Sequence, residues 1–386
     1  MKKLQLNKQK GFSLIELMVG LVIGLLVSLV IANVFSVYEQ QKRTTTGNSD
    51  AQTNGSIALY SLQRDVAQGG FGLPVYDIST SPFNCPQTTT VDHDGTVGTP
   101  NPATAAIGLS PVVIVDGGAL NGRSDTVSIH MGDAPQGGAS SPMLAGTATN
   151  VAQVDTSLGC NVNDVALIVN DPGTGAALTC SMARVTARSA TGLSPATVTL
   201  SATTNVAVGN GLACLGAWNE IQYNVNNNNQ LTKTGAITVA GGVRTPSATA
   251  VPLVSDIVDM QAQYGISNAP SSNQVTQWVN ATGVWAAPPS AGLVCSAAIA
   301  NRNCIKAVRI AVVARNGLLE RANVTSTCSS TTAANPTGLC AWDGSVAGQA
   351  PVIDLTSIAN WQRYRYRVYE TIIPLKNVIW SASALK

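Results

Sequence analysis

The chain has 386 residues, of which only 11% are charged and 5% aromatic. Gly, Ala, Ser, Thr and Asn are abundant, which favours a β-rich exported protein with long surface loops over a disordered chain. Lysine and arginine outnumber aspartate and glutamate by 22 to 20, but Lys2, Lys3, Lys8 and Lys10 precede Phe12. Removing those four leaves 18 against 20, so the charge gives no global support for nucleic-acid binding.

The N-terminal segment contains the most informative pattern. Residues 1–11 are short and basic, and the 24 residues 12–35 are apolar except for Glu16. As a helix this run spans ~36 Å, enough to cross a hydrocarbon core of about 30 Å. The preceding lysines predict a cytoplasmic N-terminus with the bulk of the chain outside. No A-x-A-like site follows the run, so cleavage after it is disfavoured, while an uncleaved anchor remains an alternative.

Glu16 is the unusual residue of the apolar run. A carboxylate near the start of a membrane helix costs roughly 2 to 3 kcal/mol on insertion scales and requires a partner. If the chain is cut before Phe12, the new α-amine of a neighbouring subunit can approach this carboxylate. Such a pair at about 4 Å, with an effective dielectric of about 20, contributes up to about 4 kcal/mol. We therefore expect Glu16 to favour registered assembly of processed subunits.

The residues around this acid are Lys10-Gly11-Phe12-Ser13-Leu14-Ile15-Glu16-Leu17. This motif resembles the class III leader and cleavage site of type IV prepilins and type II secretion pseudopilins. The resemblance implies that a prepilin peptidase cuts after Gly11, that Phe12 becomes the N-methylated mature N-terminus, and that Glu16 guides assembly.

The segment after the apolar run stays compatible with a helix to about residue 69, where two glycines provide a stop. One helical face carries small or apolar residues at spacings of three and four: Ala51, Gly55, Ala58, Leu62 and Val66. The pattern predicts that the distal half of a long helix packs on a globular domain. We therefore predict three segments, a leader at 1–11, a helix at 12–69 with its membrane-spanning half at 12–35, and a β-rich domain at 70–386.

The rest of the chain is predicted to be mainly β-sheet. Short β-type runs lie between loop residues at Val112–Val115, Thr126–Met131, Val165–Val169, Met182–Arg188 and Thr197–Leu200. Two further runs flank asparagines 226–229 and predict a hairpin, with ligand binding by the asparagines as the alternative. Residues 258–264 and 308–312 also predict strands, and residues 267–303 between them have the composition of an insertion.

Eight cysteines lie beyond the apolar run: Cys85, Cys160, Cys180, Cys214, Cys295, Cys304, Cys328 and Cys340. Their even number, in a chain with no C-x-x-C motif, predicts disulfides in an exported domain; buried free thiols are the alternative. Proximity favours three pairs, Cys295 with Cys304, Cys328 with Cys340, and Cys160 with Cys180, although many pairings are formally open.

The C-terminal residues 362–369 interleave arginine with tyrosine. In a strand, Arg363, Arg365 and Arg367 would share one face, opposite Tyr364 and its neighbours. We favour a half-buried strand with a solvated basic face. A site for nucleic acid or an acidic partner is the alternative, but alternation separates the rings from the arginines.

Together these segments resemble PilW-type minor pilins, through the long helix, the Tyr223-to-Leu231 hairpin, the Gln263-Tyr264-Gly265 strand, the Val308-to-Arg315 strand and the C-terminal strand ending in Leu375-Lys376-Asn377. The resemblance implies a type IV pilin-like α+β fold, with a long N-terminal helix packed on a large, mainly antiparallel β-sheet domain that has disulfide-closed loops. It also implies a structural subunit that helps initiate pilus assembly near the tip and supports adhesion, twitching motility or DNA uptake. A type II secretion pseudopilin and a tip adhesin or DNA-binding module are the alternatives.

The implied partners are prepilin peptidase, the major pilin, other minor pilins, a large tip adhesin and an inner-membrane assembly platform. The implied location is the inner membrane before assembly and the extracellular pilus afterwards. No enzyme motif, cofactor fingerprint or metal site is evident. His93 and His130 lie far apart without a nucleophile motif, and Asp92 and Asp94 lack the other ligands of a calcium loop.

Overall fold

The structure is a computed structural model. It describes residues 11–74, 82–84, 109–118, 124–136, 138–146, 150–170, 179–201, 211–240, 243–286, 295, 301–329, 337–342, 350–351 and 353–384. The chain forms two compact units, residues 1–50 and residues 51–386. Residues 1–10 of the predicted leader, Cys85, and the segment with His93, Asp92 and Asp94 lie outside the described residues.

Two α-helices flank the β-structure in sequence: α1 spans Leu14–Val66 and α2 spans Lys376–Ala384. The distal part of α1, from Ala51 to Val66, belongs to the second unit, and all five residues of its predicted apolar face are buried. Gly55 lies so close to Tyr369 that a Cβ atom at this position would be 2.2 Å from the tyrosine ring. The helix ends three residues before the predicted boundary, and Gly70 follows with a φ of 80°.

Among the described residues, seventeen β-strands follow α1 in chain order. They are β1 Val112–Val115, β2 Thr126–Met131, β3 Ser140–Gly146, β4 Val151–Val154, β5 Val165–Asn170, β6 Thr179–Arg188, β7 Ala196–Leu200, β8 Gly211–Cys214, β9 Asn219–Val225, β10 Gln230–Lys233, β11 Ile237–Ala240, β12 Val243–Pro246, β13 Val251–Ser255, β14 Ile257–Ile266, β15 Gln277–Val279, β16 Ile305–Arg315 and β17 Tyr366–Pro374.

Two antiparallel sheets share one apolar core with the distal part of α1. The five-stranded sheet has the order β1-β2-β9-β10-β13, and the four-stranded sheet has the order β15-β14-β16-β17. Strand β16 is buried along nearly its whole length. Val308, Ile310 and Val312 join the core beneath α1, whereas Ala311 and Val313 face a separate cluster under the disulfide-bonded loop region. Burial of both faces explains why eight of its eleven residues are apolar, although Lys306 and Arg309 are buried there as well.

A closed six-stranded barrel, with the order β3-β4-β7-β6-β5-β8, lies between β2 and β9 in sequence. Its interior is a separate core, which contains aliphatic side chains together with Met143 and Cys160. Small barrels of this kind are filled by side chains. The sequence interpretation assigned three of these strands but did not predict that they close a barrel.

The two sheets are joined along the edge of β14 that lies opposite β16, where most of β14 has no strand beside it. β15 pairs with β14 only at Tyr264–Ile266. Further along, the Met260 N–H donates to the Ser124 hydroxyl at 3.2 Å, and the Ala262 N–H donates to the Asp125 carboxylate at 2.7 Å. These side chains replace the missing strand as acceptors. The cost is a buried carboxylate, and burial raises the pKa of Asp125 to about 7 despite the hydrogen bonds from backbone N–H groups.

This buried acid predicts that stability increases on mild acidification. Since the folded-state pKa of Asp125 lies above the ordinary value, its penalty is full above pH 7 and decreases as pH falls through 7. Burial raises the pKa of Asp259 to about 6, with the same sign. We expect the unfolding free energy of the full chain in detergent to increase by a few kcal/mol between pH 7.5 and pH 5.5. The thermal midpoint should rise accordingly.

Asp125→Asn is expected to flatten this pH dependence, because the amide does not titrate. The control is Asp155→Asn, an exposed position that should retain the wild-type slope. A wild-type midpoint that is constant or falls between pH 7.5 and 5.5 would contradict the prediction.

The disulfides agree with two of the three favoured pairs. Cys295 bonds to Cys304 and Cys328 bonds to Cys340. The predicted Cys160–Cys180 pair is wrong, because Cys160 bonds to Cys214 across a Cα–Cα distance of 5.1 Å. Cys180 lies opposite Val169 near the end of β5, whereas Cys160 precedes the start of that strand. Closure of the barrel brings β8 beside the start of β5 instead. Cys180 is also disulfide-bonded.

The strands predicted around residues 226–229 pair as a hairpin, with Leu231 opposite Val225. Asn229 has a φ of 55°, and the Asn226 side chain accepts from two backbone N–H groups of the turn, so the asparagines have a turn role. Residues 267–303, predicted as an insertion, also supply the edge strand β15. The C-terminal strand begins at Tyr366 rather than residue 362, because Trp361–Arg363 forms a 3₁₀ turn.

Candidate assembly site

The N-terminus of α1 presents the predicted processing and assembly residues on its surface. The Ser13 carbonyl accepts the first helical hydrogen bond, from the Leu17 N–H, at 3.1 Å. The Ser13 N–H in turn donates to Glu16 Oε2 at 3.1 Å. Phe12 is 89% exposed. Glu16 therefore caps its own helix, a position where the helix dipole favours a negative charge by roughly 0.3 to 1 kcal/mol.

This capping bond uses only one of the two carboxylate oxygens. Among the described residues, none makes a hydrogen bond or ion pair with the other oxygen of Glu16, and the side chain is exposed. An approaching cation can therefore bind Glu16 without breaking the bond from Ser13. The arrangement has the chemistry required for pairing with a neighbouring α-amine.

The apolar segment that follows has no protein core around it. Large apolar side chains from Leu14 to Phe35 are all at least half exposed. By length and composition, α1 can cross a membrane. Exposure of this much apolar surface requires a bilayer or neighbouring helices, and it is consistent with a membrane-anchored protein.

An ionic cluster around the buried Asp65 attaches the distal part of α1 to the five-stranded sheet. Asp65 accepts hydrogen bonds from the Tyr223 hydroxyl at 2.6 Å, from Lys233 Nζ at 2.5 Å and from Arg64 Nε at 2.8 Å. The Tyr223 hydroxyl also lies 3.3 Å from the Ser61 carbonyl. Burial raises the pKa of Asp65, but the bonds from Arg64, Lys233 and Tyr223 outweigh burial and leave the pKa below its usual value.

The sequence interpretation missed this cluster, although one signal was available. Asp65 occupies the last turn of a helix, where the dipole disfavours an acid. It also adjoins Val66 of the buried face. An acid in such a position requires cationic and hydrogen-bonding partners. Besides the adjacent Arg64, these come from strands more than 150 residues later in the chain.

His130 is the one candidate of the histidine and aspartate set that lies among the described residues. His130 is fully buried, its ring stacks on Trp218 at 5.6 Å, and its Nδ1 lies 2.7 Å from the Ser110 carbonyl. It is therefore a core residue. Among the described residues, no group of three or more His, Cys, Asp or Glu side chains is placed to hold a metal ion.

The C-terminal arginines largely follow the favoured interpretation. Arg365 and Arg367 are exposed, while Tyr366 and Val368 pack on the cluster beneath the loop region. Arg365 pairs with Glu320 at 2.9 Å. Within the strand, the exposed Arg367 alternates with the packed Tyr366 and Val368, as predicted.

Two family models match the chain. Residues 6–32 match the prokaryotic N-terminal methylation motif, and residues 221–377 match the PilW model, described as type IV pilus-assembly protein W. The first match covers Gly11, Phe12 and Glu16, and the second begins within β9 and ends within α2. No curated protein and no solved structure matches the chain.

A prepilin-type N-terminus on a long apolar helix, continued by a mainly antiparallel β-domain with disulfides, defines a type IV pilin-like protein. The predicted α+β fold is thereby confirmed. Residues 221–377 are similar to the PilW family, which supports the resemblance that the sequence indicated.

Proposed function

We propose that the chain is a minor pilin, a structural and non-enzymatic subunit that helps initiate type IV pilus assembly at or near the tip. Its precursor is anchored in the inner membrane with residues 1–11 in the cytoplasm. Prepilin peptidase cuts between Gly11 and Phe12, and Phe12 is methylated. The assembly platform then transfers the apolar helix from the bilayer into the filament beside other pilins.

The observation that carries the proposal is the presence of both family matches on one chain. The geometry of the N-terminus supports it, since Phe12 is exposed and Glu16 retains an oxygen for an incoming amine. The PilW match favours a pilus over a type II secretion pseudopilin.

A display role is a second candidate, favoured by one specific observation. The barrel of residues 140–214 lies outside both matched segments and has its own core and disulfide. A separately packed module of this kind is suited to presenting a surface to an adhesin or receptor. In this arrangement the sheets support the module, and adhesion or DNA uptake depends on it.

The proposed processing is tested by mass spectrometry of the protein purified from pili. The expected N-terminal peptide begins at Phe12 and carries one additional methyl group on its amine. The control is the same protein expressed without prepilin peptidase, which should begin at Met1. An intact leader in assembled pili would contradict the proposal.

A further inference from the structure

One end of the four-stranded sheet lies where the chain enters the second unit. Gly55 of α1 contacts Tyr369 near the start of β17. Beyond the other end of that strand, the Asn377 amide donates to the Gly69 carbonyl at 3.0 Å, just past the end of α1. Helix α1 therefore enters the second unit at the end of the four-stranded sheet where Arg315 pairs with Tyr366. We call residues 256, 315–325 and 361–367 the entry surface.

The entry surface concentrates positive charge. It contains five arginines, Arg315, Arg321, Arg363, Arg365 and Arg367, against two acids, Asp256 and Glu320. The whole unit of residues 51–386 is nearly balanced, with 16 basic and 17 acidic residues. The positive charge is therefore local.

Contacts within the entry surface fix some arginines and leave others available. Arg315 lies over the Tyr364 ring at 4.8 Å, and Arg363 Nε donates to the Glu320 carbonyl at 2.7 Å. Among the described residues, Arg321 and Arg367 make no ion pair, and both are exposed. They are the cations that can bind an external anion at the lowest cost.

Two apolar side chains of the segment 315–325 are exposed at the same surface. Leu319 is 40% exposed and Val324 is 38% exposed. The Glu320 N–H donates to the Arg363 carbonyl and the Val324 N–H donates to the Gln362 carbonyl, both at 2.8 Å. Because the backbone is fixed on both sides of Arg321, these side chains stay at the surface beside the arginines.

We propose that the entry surface docks on anionic phospholipid headgroups of the membrane that anchors the precursor. Arginines bind lipid phosphates, while Leu319 and Val324 reach the interfacial layer. A purely acidic protein partner would not require the exposed apolar pair. The inference rests on the proposed membrane anchoring. Residues 36–50 connect the apolar run to this unit.

The test is hydrogen–deuterium exchange of the full chain in nanodiscs of phosphatidylcholine, with or without about one third phosphatidylglycerol. We expect amides of residues 317–325 to exchange about tenfold more slowly, or slower still, in the anionic nanodiscs. Since each basic residue near an anionic surface contributes about a fivefold factor, Arg321→Gln with Arg367→Gln should remove most of this protection. Lys376→Gln, an exposed cation beyond the other end of the sheet, should retain it.

Protection of residues 14–35 in the same data reports whether the apolar run is in the bilayer. If those residues are protected in both lipids but residues 317–325 exchange equally in both, docking is wrong and anchoring stands. If residues 14–35 exchange freely, both proposals fail. Protection of residues 317–325 by added duplex DNA, but not by phosphatidylglycerol, would overturn the lipid assignment in favour of nucleic acid.

Discussion

Glu16→Ala is expected to reduce incorporation of the protein into pili at least tenfold while leaving membrane insertion and cleavage after Gly11 intact. Alanine favours the apolar environment more than glutamate does, so the precursor should still enter the bilayer. The loss falls on assembly, because the variant cannot pair with the α-amine of a neighbouring subunit. A pair worth up to about 4 kcal/mol corresponds to a large change in the assembly equilibrium.

The measurement is the ratio of this protein in sheared pili to that in inner membranes, by quantitative immunoblot. Glu16→Gln is the matched control for charge, since it retains an oxygen that can accept the bond from Ser13. It should be impaired nearly as much as Glu16→Ala if the charge is required. Normal incorporation of both variants would refute the role assigned to Glu16.

Asp65→Ala is expected to destabilise the second unit by roughly 3 kcal/mol or more, because it leaves partly buried cationic and hydroxyl groups without their acceptor. Lys233 and Tyr223 both lose their shared partner, and the end of α1 loses its ionic attachment to β9 and β10. Chemical denaturation of the full chain in detergent, with disulfides intact, gives the difference in unfolding free energy.

Asp65→Asn should have a smaller effect, since an amide oxygen still accepts from the Tyr223 hydroxyl. Asp155→Ala, at an exposed loop position, should leave stability unchanged. The Asp65 contribution is expected to persist down to about pH 4 and to be lost as pH falls through its lowered pKa. Equal stability of Asp65→Ala and wild type at pH 7 would show that the cluster does not hold the helix.

Local patterns predicted much of the fold. The spacing of Ala51, Ala58 and Leu62 identified the buried helix face because a single helix determines which residues share that face. The asparagine turn identified the hairpin of β9 and β10, because the turn and both strands are adjacent in sequence. The family of the N-terminal motif could also be predicted, since its residues are contiguous.

Features that depend on distant pairing could not be predicted in this way. The Cys160–Cys214 bond depends on closure of the barrel, which a pattern of isolated strands does not reveal. Tyr223 and Lys233, the sheet partners of Asp65, are separated from it by more than 150 residues. The entry surface likewise combines the segment that follows β16 with the segment that precedes β17. Only the antiparallel register of these strands brings the arginines together.

The barrel is inserted in sequence between β2 and β9, two adjacent strands of the five-stranded sheet. Its two connections leave the five-stranded sheet at one rung, where Met131 lies opposite Asn219. Trp218 and strand β5, which lie between these residues, also contribute to the core shared with α1, so a replacement of the barrel must also cover that core. The two connections of the barrel lie side by side, but its packing against this core constrains which modules can take its place.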